Sequence, residues 1–353
     1  MASSEDFLKD LTETPGVSGY EKKQAELIKN YFSPYCDEIY EDKLGNLIAL
    51  KKAAHNPSEA LDLMIAAHMD EIGLIVTAFE DEKFLRISSV GGIDPRTLPG
   101  QEVIIHGEEE IEGVIGARPP HLLTKQERNE APKWEKLFVD PGLSGEKLKK
   151  KVSVGDLITV KRNLLSLENN SFAGKALDDR AGVVLLYEIL KELEYLNNNV
   201  NLYAVATTQE EVGIRGSETS TYHINPDIGI AVDVCHGKIP GVEKDLVSKM
   251  GEGPVIAYGP QVHPKVYKKL KEIADDNQFD YQIEPSPHPY GTDAASMQIS
   301  RGGVATGLIS IPLRYMHTSV ETLSFTDIKM GGKLLAHFSA RIDNNFKEEL
   351  LCY

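Results

Sequence analysis

Residues 201–216 read NLYAVATTQEEVGIRG, and this stretch decides how the rest of the chain is read. Its first half, 202–206, is a short apolar run of β-favouring residues, long enough for one buried strand. Two adjacent carboxylates, Glu210 and Glu211, follow, and Gly213 and Gly216 close the segment. A buried strand that runs into paired carboxylates and a glycine-rich turn puts charge at the strand's carboxyl end. Open α/β sheets carry their sites there. Consecutive side chains on an extended segment point to opposite sides. Glu210 and Glu211 are therefore expected to do different jobs, one as a metal ligand and one as a base. Taken alone, a Glu-Glu pair reads as a solvated acidic loop, and the other apolar runs decide against that reading.

Working outward, residues 61–67 (LDLMIAA) form a second buried strand that ends in His68-Met-Asp70. Residues 228–234 form a third, interrupted by Asp233, and 303–311 (GVATGLISI) a fourth. Pro312 is expected to end that strand, with His317 shortly after it. Asp178-Asp179 precede a strong helical pattern over 180–196. Further helices are expected over 6–13, 20–32 and 265–277, a strand over 47–50, and a loop over 285–296. Between about 74 and 168 the texture changes to short strands separated by Gly-Gly, Pro-Gly and Pro-Pro turns, as in a small β-barrel or sandwich. The lysines at 147–151 read as a solvated face. The organisation expected is one α/β domain in two segments, 1–72 and 169–353, interrupted by a β-rich insertion over 73–168.

At 353 residues the chain is long enough for this arrangement. A net charge of −16, from 38 basic and 54 acidic residues, disfavours nucleic acid and anionic membrane as partners. The three cysteines, Cys36, Cys235 and Cys352, form no CxxC pair, so neither a disulfide framework nor a thiolate zinc module is expected. The first residues lack the pattern of a signal peptide, no apolar run reaches membrane-spanning length, and Cys352 is misplaced for prenylation. A cytoplasmic location is the expectation.

Each of the four apolar runs is thus followed or ended by a candidate ligand: His68 and Asp70, Glu210 and Glu211, Asp233, and His317. Asp178 and Asp179 stand at a helix start, where an N-cap is the plain alternative. Buried strand-end carboxylates are costly unless something compensates them, and a divalent metal pair is such a compensation. Two histidines with several Asp and Glu and no Cys suit zinc, cobalt or manganese. Two such ions need a bridging carboxylate and can hold a hydroxide for attack on a carbonyl. An extra carboxylate outside the ligand set can take the proton.

The segments AAHMDEIG (66–73), VGGIDPRTLPGQ (90–101), GKALDDRAG (174–182), TTQEEVGIRG (207–216), GTDA (291–294) and IPLRYMHTSVE (311–321) occur in this order. Together they resemble the M42 metallo-aminopeptidases, the glutamyl, leucyl and deblocking aminopeptidases of bacteria and archaea. The resemblance implies a three-layer α/β/α zinc-peptidase-like catalytic domain with an inserted small β-barrel domain that mediates dimerisation. It implies two divalent ions per subunit, with His68 and Asp233 at one, Glu211 and His317 at the other, and Asp178, rather than Asp179, bridging. Glu210 matches the general acid/base, and Asp70 the residue that orients His68. Substrates would be peptides with a free N-terminus, and the assembly a homo-oligomer of dimers building a dodecamer. Relatives also labelled endoglucanase make a glycoside hydrolase the alternative, with a non-catalytic assembly protein behind it. The chain departs from the family's usual residues at Cys235, near the expected metals, and at Tyr290, in a loop near the substrate. A cation selecting acidic N-terminal residues could be Arg301, Arg314 or Lys238.

Overall fold

The computed structural model describes residues 3–243, 246–287 and 291–351; Tyr290 and Cys352 lie outside the described residues. The strands are β1 (Glu38–Glu41), β2 (Leu47–Lys51), β3 (Asp62–His68), β4 (Gly73–Glu80), β5 (Phe84–Val90), β6 (Glu102–His106), β7 (Glu110–Gly116), β8 (Phe138–Asp140) and β9 (Leu157–Val160). They continue with β10 (Leu165–Leu167), β11 (Ser171–Gly174), β12 (Asn201–Thr207), β13 (Ile228–His236), β14 (Val255–Tyr258), β15 (Gln282–Pro285), β16 (Ala305–Arg314) and β17 (Glu321–Ser324). The helices are α1 (Ser4–Glu13), α2 (Lys22–Phe32), α3 (Gly145–Lys151), α4 (Leu177–Glu192), α5 (Arg215–Ile224), α6 (Pro264–Asn277), α7 (Asp293–Gln298), α8 (Phe325–Arg341) and α9 (Asn344–Leu350).

Among the described residues an eleven-stranded sheet runs β1-β2-β12-β3-β13-β16-β17-β11-β10, with β14 and β15 attached beside β16. Its centre, β12-β3-β13-β16, is parallel. Central parallel strands are buried on both faces and so read as continuous apolar runs, and those were the runs legible in sequence. Side chains alternate between two cores. Leu63, Ile65, Leu202 and Ala204 pack on one face with α1, α2, α4 and α8; Met64, Ala66 and Val205 pack on the other with Ala294 and Met297 of α7. The result is the expected three-layer α/β/α architecture. The strands β4-β5-β8-β7-β6-β9 close into a separate barrel filled by Leu74, Val76, Leu85, Val103, Ile105, Val139 and Ile158. The hairpin β10–β11 already belongs to the large sheet.

Three local expectations are corrected. Pro312 does not end its strand: β16 continues to Arg314. The carbonyl of Leu313 accepts from Gly237 on the β13 side, so the missing N–H of Pro312 falls on the opposite side. There β14 pairs only with Ile309 and Ser310, and β17 begins at Leu313. The expected loop over 285–296 contains the start of α7 at Asp293. The strand of the opening stretch stops at Thr207, and Gln209 adopts φ 55°, so Glu210 and Glu211 sit on a turn and not on extended backbone. No helix among the described residues is long and apolar enough to cross a membrane.

A buried ionic group fastens the N-terminal segment beneath the sheet. Arg180, fully buried, donates through Nη1 to the carbonyls of Leu11 (2.6 Å) and Thr14 (2.7 Å) and through Nη2 to Glu71 (3.0 Å). Glu71 also meets Lys175 and the Gly16 amide. Removing one partner from such a group strands the others without solvent. Arg180→Ala is expected to lower the urea-unfolding free energy by about 3–5 kcal/mol; a loss under about 1 kcal/mol would show that the group is not integral to the fold.

Candidate metal centre

The site opens where two central strands part. β3 and β13 pair only as far as Ala66 and Ala231, whereas β13 and β16 stay paired to His236 and Leu313. His68 ends β3 and Asp233 lies two residues beyond the last β3–β13 pair, so both stand at the mouth of the divergence. The turn after β12 brings Glu210 and Glu211. Buried Asn46 staples that turn by accepting from Thr208 N (3.0 Å) and donating to the carbonyl of Gly216 (3.1 Å). A Cβ on Gly216 would stand 2.4 Å from Asn46 Oδ1, so this residue has to be glycine.

Asp178 lies at the centre. It precedes the regular part of α4 with non-helical backbone, and its peptide bond to Asp179 is cis. Asp178 Oδ1 is 3.2 Å from His68 Nε2, and Oδ2 is 3.3 Å from His317 Nε2, which also lies 3.3 Å from Glu211 Oε1. Two groups result, His68–Asp178–Asp233 and Asp178–Glu211–His317, and in each the ligand atoms lie within 4.8 Å of one another. Asp178 belongs to both. Asp179 instead accepts from Gly182 N at 3.0 Å, and it is in neither group.

Both histidines are held from behind. His317 Nδ1 lies 2.7 Å from the carbonyl of Gly92, in the loop after barrel strand β5, so Nδ1 carries the proton and Nε2 faces the cluster. A Cβ at Gly92 would stand 3.1 Å from that Nδ1, so a larger residue there would press on the His317 ring. His68 Nδ1 is 3.4 Å from Asp70 Oδ1, an ionic approach rather than an aligned hydrogen bond. Asp70 accepts from Ser18 Oγ (2.6 Å), Glu210 N (3.1 Å) and Glu211 N (3.2 Å). It thereby ties His68 to the Glu210–Glu211 turn.

The electrostatics describe a site short of positive charge. Burial pushes the Glu210 carboxyl up to about 9, with Asp233, Asp293 and Glu211 adding to the rise. Burial and the charge of Asp178 raise Asp233 to about 8, and burial raises Glu211. Asp178 and Glu211 raise His317 to about 11. Burial opposes the charged form of His68, yet Asp178 and Asp70 hold it well above the usual histidine range. Burial likewise opposes ionised Asp178, and His317 and His68 overcome it. Protons thus occupy positions that a divalent cation would fill. Imidazole and carboxylate donors, several to each group and with no thiolate, fit such an ion.

Of the residues singled out in sequence, His68, Asp70, Asp178, Glu210, Glu211, Asp233 and His317 come together here. Cys235 is buried on β13, and burial lifts its thiol well above the ordinary value; the metal-binding thiolate is therefore disfavoured. Arg301 lies over the Tyr222 ring and donates to its carbonyl, and Arg314 donates to the carbonyl of Lys238. Sequence reasoning missed Ser18, Asn46, Gly92 and Glu321. Buried Glu321 accepts from the amides of Leu177 (2.8 Å), Asp178 (3.2 Å) and His317 (2.8 Å).

Comparison with known proteins places this geometry in context. The model of the family described as M42 glutamyl aminopeptidase matches residues 45–334. The chain is 37% identical over 329 residues to the lysyl aminopeptidase of Pyrococcus furiosus, covering 92% of this chain and 93% of that protein. Among solved structures, the aminopeptidase APDkam598 of the archaeon Desulfurococcus kamchatkensis superposes with a TM-score of 0.91 at 34% identity, covering 98% and 97% of the two chains. The Pyrococcus horikoshii TET1 peptidase, described as assembling into a tetrahedron or a large octahedral shell, gives a TM-score of 0.83 at 32% identity over 96% and 100%.

The raised groups fix the pH dependence. Asp233 at about 8, Glu210 at about 9 and Glu321 at about 8 stabilise the metal-free fold fully only below the ordinary carboxylate range. That support is lost as pH rises through the folded values. His317, at about 11, gives support that is complete below the ordinary histidine value and fades above it. All run in the same direction, and a cation bound among the ligand groups would take the place of protons there. The rise in Tm on adding zinc or cobalt is therefore expected to be larger at about pH 8 than at about pH 6; a gain independent of pH would contradict the assignment.

Proposed function

The chain belongs to the M42 glutamyl aminopeptidase family, and from that premise we propose that it is a metal-dependent aminopeptidase that removes N-terminal residues from peptides. The observation that carries this reading is the pair of ligand groups joined through Asp178 beside the largely buried Glu210. His68, Asp178 and Asp233 would hold one divalent cation, and Asp178, Glu211 and His317 the other, as zinc, cobalt or manganese. Bound there, such ions supply Lewis acidity and a water of lowered pKa.

The chain's own residues do the rest. Asp70 fixes the His68 ring and, through the amides of Glu210 and Glu211, the turn that carries the base. Positive charge nearby favours the ionised form of Glu210 and draws its carboxyl down from about 9 toward neutrality, the range that suits an acid–base group. Glu210 takes a proton as water attacks the scissile carbonyl carbon. It returns that proton to the departing amine as the C–N bond breaks. One water is consumed, an amino acid and a shortened peptide are released, and Glu210 ends as it began.

The proposed division gives residues 1–72 and 169–353 to catalysis and 73–168, with the barrel, to dimerisation. The likeness to the TET1 peptidase supports a homo-oligomer, and the assembly proposed is one of dimers building a dodecamer. The glycoside-hydrolase alternative needs two carboxyls facing each other across a bond; Glu211 instead faces His317 and Asp178, which does not favour it.

The test is a panel of aminoacyl-p-nitroanilides assayed on metal-stripped protein with zinc, cobalt or manganese restored. Metal-dependent release is expected, selective for one class of N-terminal residue. Glu210→Gln is expected to lower kcat roughly 10²–10⁴-fold with metal content intact, whereas His68→Ala and Asp233→Ala lose metal first. Near-normal turnover by Glu210→Gln would remove the residue from the mechanism.

A further inference from the structure

Glu321 is the first residue of β17, which lies between β11 and β16 and runs antiparallel to both. Gly174, the last residue of β11, pairs with Glu321, and Arg314, the last residue of β16, pairs with Thr322. The side chain thus stands between the two strand ends from which the Asp178 and His317 loops leave. Its Oε2 accepts from Leu177 N and Asp178 N, and its Oε1 from His317 N. One carboxylate binds both loops.

Neither loop follows a relaxed path. Ala176 adopts φ 56°, Tyr315 φ 60° and His317 φ 61°. Left-handed backbone is unfavourable for an L-residue and persists only where the surroundings over-determine it. Glu321 is 2% exposed, so water does not satisfy its carboxyl oxygens, and the three amides do so instead. Releasing any of them leaves a buried acceptor oxygen or a buried N–H without a partner.

We propose that Glu321 is a positioning residue that fixes the separation of Asp178 and His317, and through it the affinity of the Asp178–Glu211–His317 group for its cation. The proposal rests on the metal-centre reading above. Glu321 acts through the two loops and does not touch substrate. Its side chain accomplishes what neither loop can do alone, because Asp178 and His317 are 139 residues apart in the chain and no hydrogen bond joins their backbones directly.

The test uses Glu321→Gln, which keeps the shape but replaces one acceptor oxygen by an NH₂ facing backbone N–H donors, so one loop is released. Metal-stripped wild type and variant are titrated with zinc against a chelator of known affinity and with cobalt monitored by its visible absorption. The variant is expected to bind one of two ions about 10–100-fold more weakly and to show an altered cobalt spectrum. A purely structural role would lower the Tm of the metal-free protein and leave affinity and spectrum unchanged, which would overturn the proposal. If Glu321→Gln does not fold, Glu321→Asp, which withdraws the carboxyl by one methylene, is read in the same way. Wild-type protein that binds no ion overturns the metal-centre reading together with this one, whereas two wild-type sites matched by an indistinguishable variant overturn this one alone.

Discussion

Uncompensated negative charge is the constraint on which the rest of this structure depends. Buried Asp178, Asp233, Asp293 and Glu321, with Glu211 close to buried, crowd around buried His68 and partly exposed His317. Ionised carboxylates are expensive away from water unless they are paired or bound to cations. The protein meets part of that cost with backbone amides: Asp70, Glu321 and Asp233 each accept from main-chain N–H groups. Protonation meets another part, as the raised values of Asp233 and His317 indicate. What remains is a demand for positive charge at fixed positions, and that demand gives the site its chemistry.

The fold satisfies the constraint by collecting loops rather than by stiffening any one element. The parallel strands deliver His68, Asp233, the Glu210–Glu211 turn and the His317 loop to one edge, where β3 and β13 diverge. The barrel contributes from outside the sheet through the Gly92 carbonyl on His317 Nδ1 and through Gln101, which donates to Ser319 at 3.0 Å. The inserted barrel therefore reaches the centre through one hydrogen bond that holds the proton on His317 Nδ1 and another that ties down the His317 loop. Ser18, in the segment fastened by Arg180 and Glu71, orders Asp70 from below.

How much of this was legible follows from the same physics. His68, Glu210, Glu211, Asp233 and His317 stood out because each follows or ends an apolar run, and central parallel strands leave such runs in sequence. The short strands β1, β10, β11, β15 and β17 lack continuous apolar runs and are not legible in sequence; β14 has one, Val-Ile-Ala-Tyr, but it is short and no candidate ligand follows it. Whether Asp178 or Asp179 would be shared between the groups was not decided by spacing, because the backbone there is non-helical; the distances place Asp178 in both groups. The supporting residues were hidden for a different reason. Asn46, Gly92 and Glu321 work largely by meeting backbone amides and carbonyls, or a ring nitrogen, far away in sequence, and residue type carries no trace of such partners. Pro312 misled because proline usually marks a strand end, whereas here its absent N–H faces a gap between neighbours.

The central claim is that Asp178 joins two cation sites. Crystals of the metal-stripped protein soaked in zinc, with data collected on both sides of the zinc absorption edge, test it directly. The account predicts two anomalous peaks per subunit, one among His68, Asp178 and Asp233 and the other among Asp178, Glu211 and His317, with an Asp178 oxygen bound at each. A single peak, or two peaks with Asp178 bound to at most one of them, would contradict it.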